Sequence, residues 1–359
     1  RVRYRDIMRW WKGPSRLVTV GVAVALLAAC TDAPSTEQLE YEIEAAVAGG
    51  DWTTAVNLYL DLNQTVRVDL DPTLIDLVGR IVESGSVLPI GTENRLLRRL
   101  ESEGQMEVAR SLLNSSVVEI AGGWTVMGTD AGNPDEGPAH NVWIDTFVID
   151  RYEVTNVEFA SLADRIGIQP AHRDGETHPA STPIHPVVGV SWYQADGFCR
   201  AIGRRLPTEA EWERACRGTE GSGFPWGDTW DALRVNVTAV PLVDPNEAWA
   251  WVDPDQGGPA SPSTVGEPSS GCSAEGVCNL ADNASEWVAD WYDRDAYSTL
   301  PHVDPLALAP EWDHVVRGGA WLFRADDLDA MRAQSRCTAR NSSHALSDPR
   351  VGFRCAFTP

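Results

Sequence analysis

Thiols are the side chains in this sequence best suited to chemistry, and their placing decides what they can do. There are seven, at Cys30, Cys199, Cys216, Cys272, Cys278, Cys337 and Cys355. A thiolate can act as a nucleophile, exchange disulfides or hold a soft metal such as copper(I). Six cysteines in an exported chain read instead as three disulfides, and counting alone does not fix their pairing. Other reactive residue types are less pointed. His172, His178 and His185 share one loop-rich stretch, but their spacing fits no short metal motif, so they read as loop histidines. Asp326, Asp327 and Asp329 form an acidic cluster. It reads as a solvated loop, or more sharply as a surface recognising cations or polar groups. Ser, His and Asp are too frequent here for any trio to signal a triad.

The chain opens with an export signal. Arg9, Lys12 and Arg16 precede an apolar run over 17–29 that is too short for an untilted membrane span. The run ends Leu27-Ala28-Ala29-Cys30, which is similar to a bacterial lipobox. That pattern implies cleavage before Cys30 and lipidation of its thiol. The expected product is an envelope protein anchored by lipid, with its domain in the periplasm or outside the cell. The remaining six cysteines suit that oxidising setting. The net charge is −23 and Lys12 is the only lysine. So acidic a surface repels phosphate backbones, which excludes nucleic acid as a partner.

Residues 1–30 therefore read as a signal segment and 31–35 as a tether. Residues 36–116 read as a small helical region. Leu39, Ile43, Ala46 and Val47 recur at helical spacing, Gly49-Gly50-Asp51 interrupts, and Trp52, Ala55, Val56, Tyr59 and Leu60 form the next apolar face. Further helices are expected over 74–82 and 93–113. From residue 117 onward Gly, Pro, Trp and short apolar runs take over. Residues 117–127 read as strand, turn and strand, and 142–149 alternate as a strand. Helix starts are marked at Thr155 with Glu158, at Ser191, and at Thr208 with Glu211. The fold class is α+β, with a loop-rich domain over 117–359 after the helical region.

Several phrases in that domain occur in a telling order: Tyr152-Glu153-Val154-Thr155-Asn156, Arg205-Leu206-Pro207-Thr208-Glu209, Phe224-Pro225-Trp226-Gly227, Asn283-Ala284-Ser285-Glu286-Trp287, Arg317-Gly318-Gly319-Ala320-Trp321 and Arg350-Val351-Gly352-Phe353-Arg354-Cys355. Together they resemble the formylglycine-generating enzyme family, also called sulfatase-modifying factors. The resemblance implies an irregular C-type-lectin-like fold with low regular secondary structure. It implies the pairs Cys199–Cys355 and Cys216–Cys337, which leaves Cys272–Cys278 as a local loop. It also implies a structural calcium loop, with side-chain oxygens from Asn279 and Glu286 and backbone carbonyls from Asp282 and Ala284. A second, weaker calcium site would begin at Asn236 and Val237.

Catalytic members of that family hold copper(I) through two cysteines and oxidise a substrate cysteine with oxygen. The matching positions here are Phe323 and Leu328, and Ala320 replaces a common serine. Cys337 and Cys355 fall on the disulfide positions. The resemblance thus implies calcium without copper, and a non-catalytic ligand-binding or scaffold module. The expected ligand surface comprises Trp321, Phe323, Arg324, Asp326, Asp327 and Asp329, facing a protein, peptide or glycan. The alternative is a divergent metal-dependent oxidase or oxygenase.

Overall fold

The computed structural model describes residues 36–65, 72–166, 182–236, 238–240, 262–309, 311–324, 328–344, 346, 348 and 350–359. Cys30 and the rest of the lipobox lie outside them, as do His172, His178, Val237, Asp326 and Asp327. Contacts divide the chain into two compact units between Leu96 and Leu97. Among the described residues no helix is long and apolar enough to cross a membrane.

The first unit holds three helices, α1 (Thr36–Gly49), α2 (Trp52–Thr65) and α3 (Pro72–Ser84), and the start of α4 (Ile90–Ser102). Its core is the apolar stripes: Ile43, Ala55, Val56, Leu60, Leu74, Val78, Ile81 and Leu96 are buried. Gly50 takes a left-handed φ of 74° to end α1, and the Asp51 carboxylate caps α2 by accepting from the Thr54 N–H at 3.1 Å. The single helix expected over 93–113 is two, α4 and α5 (Met106–Ser115). Gly104, at φ 70°, reverses the chain between them, and the Gln105 N–H closes the end of α4 on the Leu100 carbonyl at 2.8 Å.

The second unit is built on short strands. β1 (Val117–Ile120), β4 (Phe147–Asp150) and β11 (Ala356–Phe357) form one antiparallel sheet with β4 central. β2 (Gly123–Met127) pairs antiparallel with β3 (His140–Ile144). A four-stranded sheet runs β10 (Val351–Phe353), β6 (Ser285–Trp291), β7 (Asp313–Arg317), β9 (Arg340–His344), parallel only between β10 and β6. β5 (Thr238–Val240) lies parallel to β8 (Leu322–Arg324). The expected strand over 142–149 is thus two, β3 and β4, which belong to different sheets.

Five helices accompany these sheets: α6 (Asn156–Ile166), α7 (Trp192–Ala201), α8 (Glu209–Arg217), α9 (Ala296–Thr299) and α10 (Leu328–Gln334). The expected caps form. The Ser191 and Thr208 hydroxyls accept from Gln194 and Glu211 N–H, and those side chains accept in return from the cap N–H groups. One core gathers around Trp212, Phe147 and Val288, and another around Trp287, Phe159, Phe198 and Phe353. Cys199–Cys355 ties α7 to the chain end, Cys216–Cys337 ties α8 to the segment after α10, and Cys272–Cys278 closes a local loop.

Candidate functional site

Helix α8 turns acidic side chains inward, and this sets the site. Glu209 and Glu213 are buried and meet two buried arginines from the four-stranded sheet. Arg317 donates to Glu209 Oε1 at 2.9 Å and to Glu213 Oε2 at 2.8 Å. Arg340 takes both oxygens of Glu209, at 2.7 and 2.9 Å. Burial alone would raise the Glu209 carboxyl, but the guanidinium groups of Arg340 and Arg317 hold it below its usual range. The Tyr297 hydroxyl lies within 3.4 Å of both carboxylates and is pushed well up, by burial and by their charge.

Arg317 thereby fixes the start of the Arg-Gly-Gly segment. Gly318 has φ 77°, and a side chain there would meet the Leu280 carbonyl at 2.9 Å. At Gly319 it would meet the Ala281 carbonyl at 2.5 Å. Glycine is required because the two backbones touch. The Ser285 hydroxyl donates to the Gly318 carbonyl at 3.0 Å, and the Trp321 N–H donates to the Asn283 carbonyl at 2.7 Å. The two signature loops, 279–286 and 317–321, are therefore one structure.

Within the first loop, the residues expected to hold calcium also bond to protein groups. Asn279 accepts from the Gly266 N–H at 2.6 Å and donates to the Glu267 carbonyl at 3.0 Å. Glu286 is fully buried and is claimed by Arg354 in a bidentate pair at 2.7 and 2.6 Å, and by the Trp212 indole at 2.8 Å. Asp282 is buried without an ion-pair partner among the described residues, and accepts from the Asn236 N–H. Burial pushes its carboxyl up to about 7. The Asn236 amide donates to Asn283, whose own amide donates to Glu153 at 2.9 Å. The other Glu153 oxygen is buried without a hydrogen-bond partner, and burial raises this carboxyl well above the usual range. These donors are hard oxygens, which suit calcium in type. Asp282 and Glu153 both lack an ion-pair partner among the described residues, while Glu286 has Arg354. Among the described residues no three acidic, His or Cys side chains converge on a point that could hold a metal.

The donor set for copper(I) is different. All six described cysteines are in disulfides, so none offers a thiolate. At the positions expected for the reactive pair, the Phe323 backbone lies in β8 opposite Ala239, and Leu328 is the first residue of α10. Their side chains, and that of Arg324, are outside the description. Leu328 opens α10, whose Met331 packs with Val235 and Ala281 against Trp226 and Trp230. Asp329 is exposed. Trp321 is only 8% exposed, and its indole N–H has no hydrogen-bond partner, nor has the buried Ser335 hydroxyl. Trp321 therefore lies largely beneath the surface, whereas Asp329 is on it. His185 is engaged with the Pro262 carbonyl at 2.6 Å. Sequence reasoning missed the helix α10 and the buried Glu153. The spacing of Leu328 and Met331 is the one helical signal there.

An α+β domain closed by disulfides, with two signature loops locked by buried Arg–Glu pairs, is the class that fold and site define. The sequence pattern of the sulfatase-modifying factor enzyme 1-like domain matches residues 103–359. The chain belongs to that family. The formylglycine-generating enzyme of Thermomonospora curvata is 30% identical over 68% of this chain and 93% of that protein. A mouse relative named inactive C-alpha-formylglycine-generating enzyme 2 is 30% identical over 67% of this chain and 85% of its own length. A protein of Chlamydia caviae named serine/threonine-protein kinase pkn1 is 31% identical over 73% of this chain. The chain spans about two fifths of that relative's length. The fold is also that of PvdO from Pseudomonas aeruginosa, with a TM-score of 0.50 and 24% identity over 67% of this chain and 93% of PvdO.

Proposed function

We propose that this chain is a non-catalytic member of its family, a ligand-binding or scaffold module of the cell envelope. The observation that carries the reading is the fate of the thiols. The two positions of the reactive pair are Phe323 and Leu328, and every described cysteine is used in a disulfide. Copper(I) chemistry needs soft ligands, and oxygens and aromatic rings do not supply them. Family membership alone does not decide the matter, since the relatives include enzymes and a protein named inactive.

Three disulfides mark a protein of an oxidising, exported compartment. The lipobox-like run ending at Cys30 supports lipid anchoring there. Calcium at the 279–286 loop would rest on Asp282, a buried carboxylate of that loop without an ion-pair partner among the described residues, with Asn279 beside it. It would act as a structural ion that holds two loops together. The ligand, a protein, peptide or glycan, would meet the 321–329 region, where α10 begins.

Elemental analysis with thiol counting on the purified mature protein tests this reading. It expects calcium, no stoichiometric copper and no free thiol among the six cysteines. Stoichiometric copper or iron with retained oxidase activity supports the divergent oxidase instead.

A further inference from the structure

We propose that the outer face of the β2–β3 pair is a carbohydrate-binding platform, separate from the region of the missing thiols. The two strands turn Met127, Val142 and Ile144 into the core. The alternate positions point the other way, and there the sequence is aromatic. Trp124 is 62% exposed and pairs across the strands with Trp143, their rings edge to face at 5.8 Å. Val126, 43% exposed, extends the face along β2. Val303, 55% exposed, extends it on the far side through a bridge to Trp143. Exposed large apolar groups on one contiguous face mark a binding surface more often than a stray residue does.

The platform is rigid. The Trp143 indole donates to Asp145 at 2.8 Å, and the Asp145 N–H donates to the Asp304 carboxylate at 2.8 Å. The Asp304 N–H returns to the Trp143 carbonyl at 2.8 Å, and the Trp143 N–H donates to the His302 carbonyl at 2.7 Å. A ring fixed by its own hydrogen bond and by two backbone bonds loses little freedom when a ligand stacks on it.

Size and rim choose the occupant. A tryptophan contributes roughly 150–250 Å² when buried, so this partly exposed face offers a few hundred Å². A stable protein pair needs about 800 Å² from each partner. The exposed carboxylates of Asp145 and Asp304, and the net charge of −23, repel an anionic bilayer. A pyranose ring matches what remains: an apolar C–H face for the indole, and edge hydroxyls for the carboxylates, exposed Asn141 and His302. The assignment is independent of whether the family reaction is retained.

The test is binding of the full chain to an array of neutral glucose, mannose and N-acetylglucosamine oligosaccharides, followed by titration of the hits. Trp124→Ala is the main variant. Trp312→Ala is the control, because Trp312 is 87% exposed elsewhere. The expected result is oligosaccharide binding that Trp124→Ala weakens at least tenfold, with an unchanged melting temperature, and that Trp312→Ala leaves intact. No oligosaccharide bound, or equal binding by Trp124→Ala, overturns the proposal. So does a Trp124-dependent contact with a protein partner and not with sugars.

Discussion

Replacing Glu286 with glutamine removes one charge and almost no volume from the centre of the domain. Arg354 is left with a neutral partner at full burial. In the native protein its guanidinium makes two bonds to Glu286, and it also donates to the carbonyls of Asp150, Arg151 and Cys278. Arg354 thus ties the 351–355 segment to the 279–286 loop, and Glu286 balances its charge. Removing one partner of a buried pair costs about 3–5 kcal/mol, because the remaining charge is uncompensated. For a unit of this size that lowers the melting temperature by of order 10 °C. Arg350→Ala breaks the exposed pair with Asp348 and should cost under about 1 kcal/mol. The assay is calorimetry of the full chain with its disulfides intact, in excess calcium and again in chelator. If the role of Glu286 is to pair with Arg354, Glu286→Gln is destabilised equally in both conditions. A loss confined to calcium, or a shift no larger than that of Arg350→Ala, refutes the reasoning.

Other expectations follow from the same geometry. Asp282→Asn should abolish any calcium-dependent rise in melting temperature while leaving the chelated protein as stable as before; an unchanged calcium response places the ion elsewhere. Burial, with a smaller push from Asp150, raises the Glu158 carboxyl to about 7, against bonds from Thr155 that lower it. The folded state therefore holds that proton more tightly than the unfolded state. Its contribution, up to about 3 kcal/mol, is complete below pH 4.5 and lost as pH rises through 7. Glu158→Gln should flatten the fall in stability between pH 5 and 8, and a profile parallel to the wild type would contradict this. Breaking Cys216–Cys337 should cost up to about 5 kcal/mol and breaking Cys272–Cys278 about 2, because the closed loops differ so much in length. Denaturation of the paired Cys→Ser variants checks the order.

Features set by local chemistry were legible in the sequence. Ser191 and Thr208 announce helix starts because the capping partner lies three residues away. The Arg317-Gly318-Gly319 phrase marks the family resemblance, and the structure adds its reason, a close backbone approach that only glycine tolerates. Long-range pairing was not legible. Nothing near Glu286 shows that its partner is Arg354, 68 residues on. Gly104 splits a pattern that looked continuous because its apolar spacing resumes after the turn. Alternation along β2 and β3 says which residues share a face, but not that the tryptophan face is left uncovered.

The central claim is that the lost thiol pair ended the family's reaction. The most direct test is to titrate copper(I) into the full-length protein and measure oxygen consumption with a cysteine-containing peptide. The account predicts no stoichiometric copper(I) site and no turnover of the peptide thiol to an aldehyde. One equivalent of tightly bound copper(I) with oxygen-dependent aldehyde formation would contradict it.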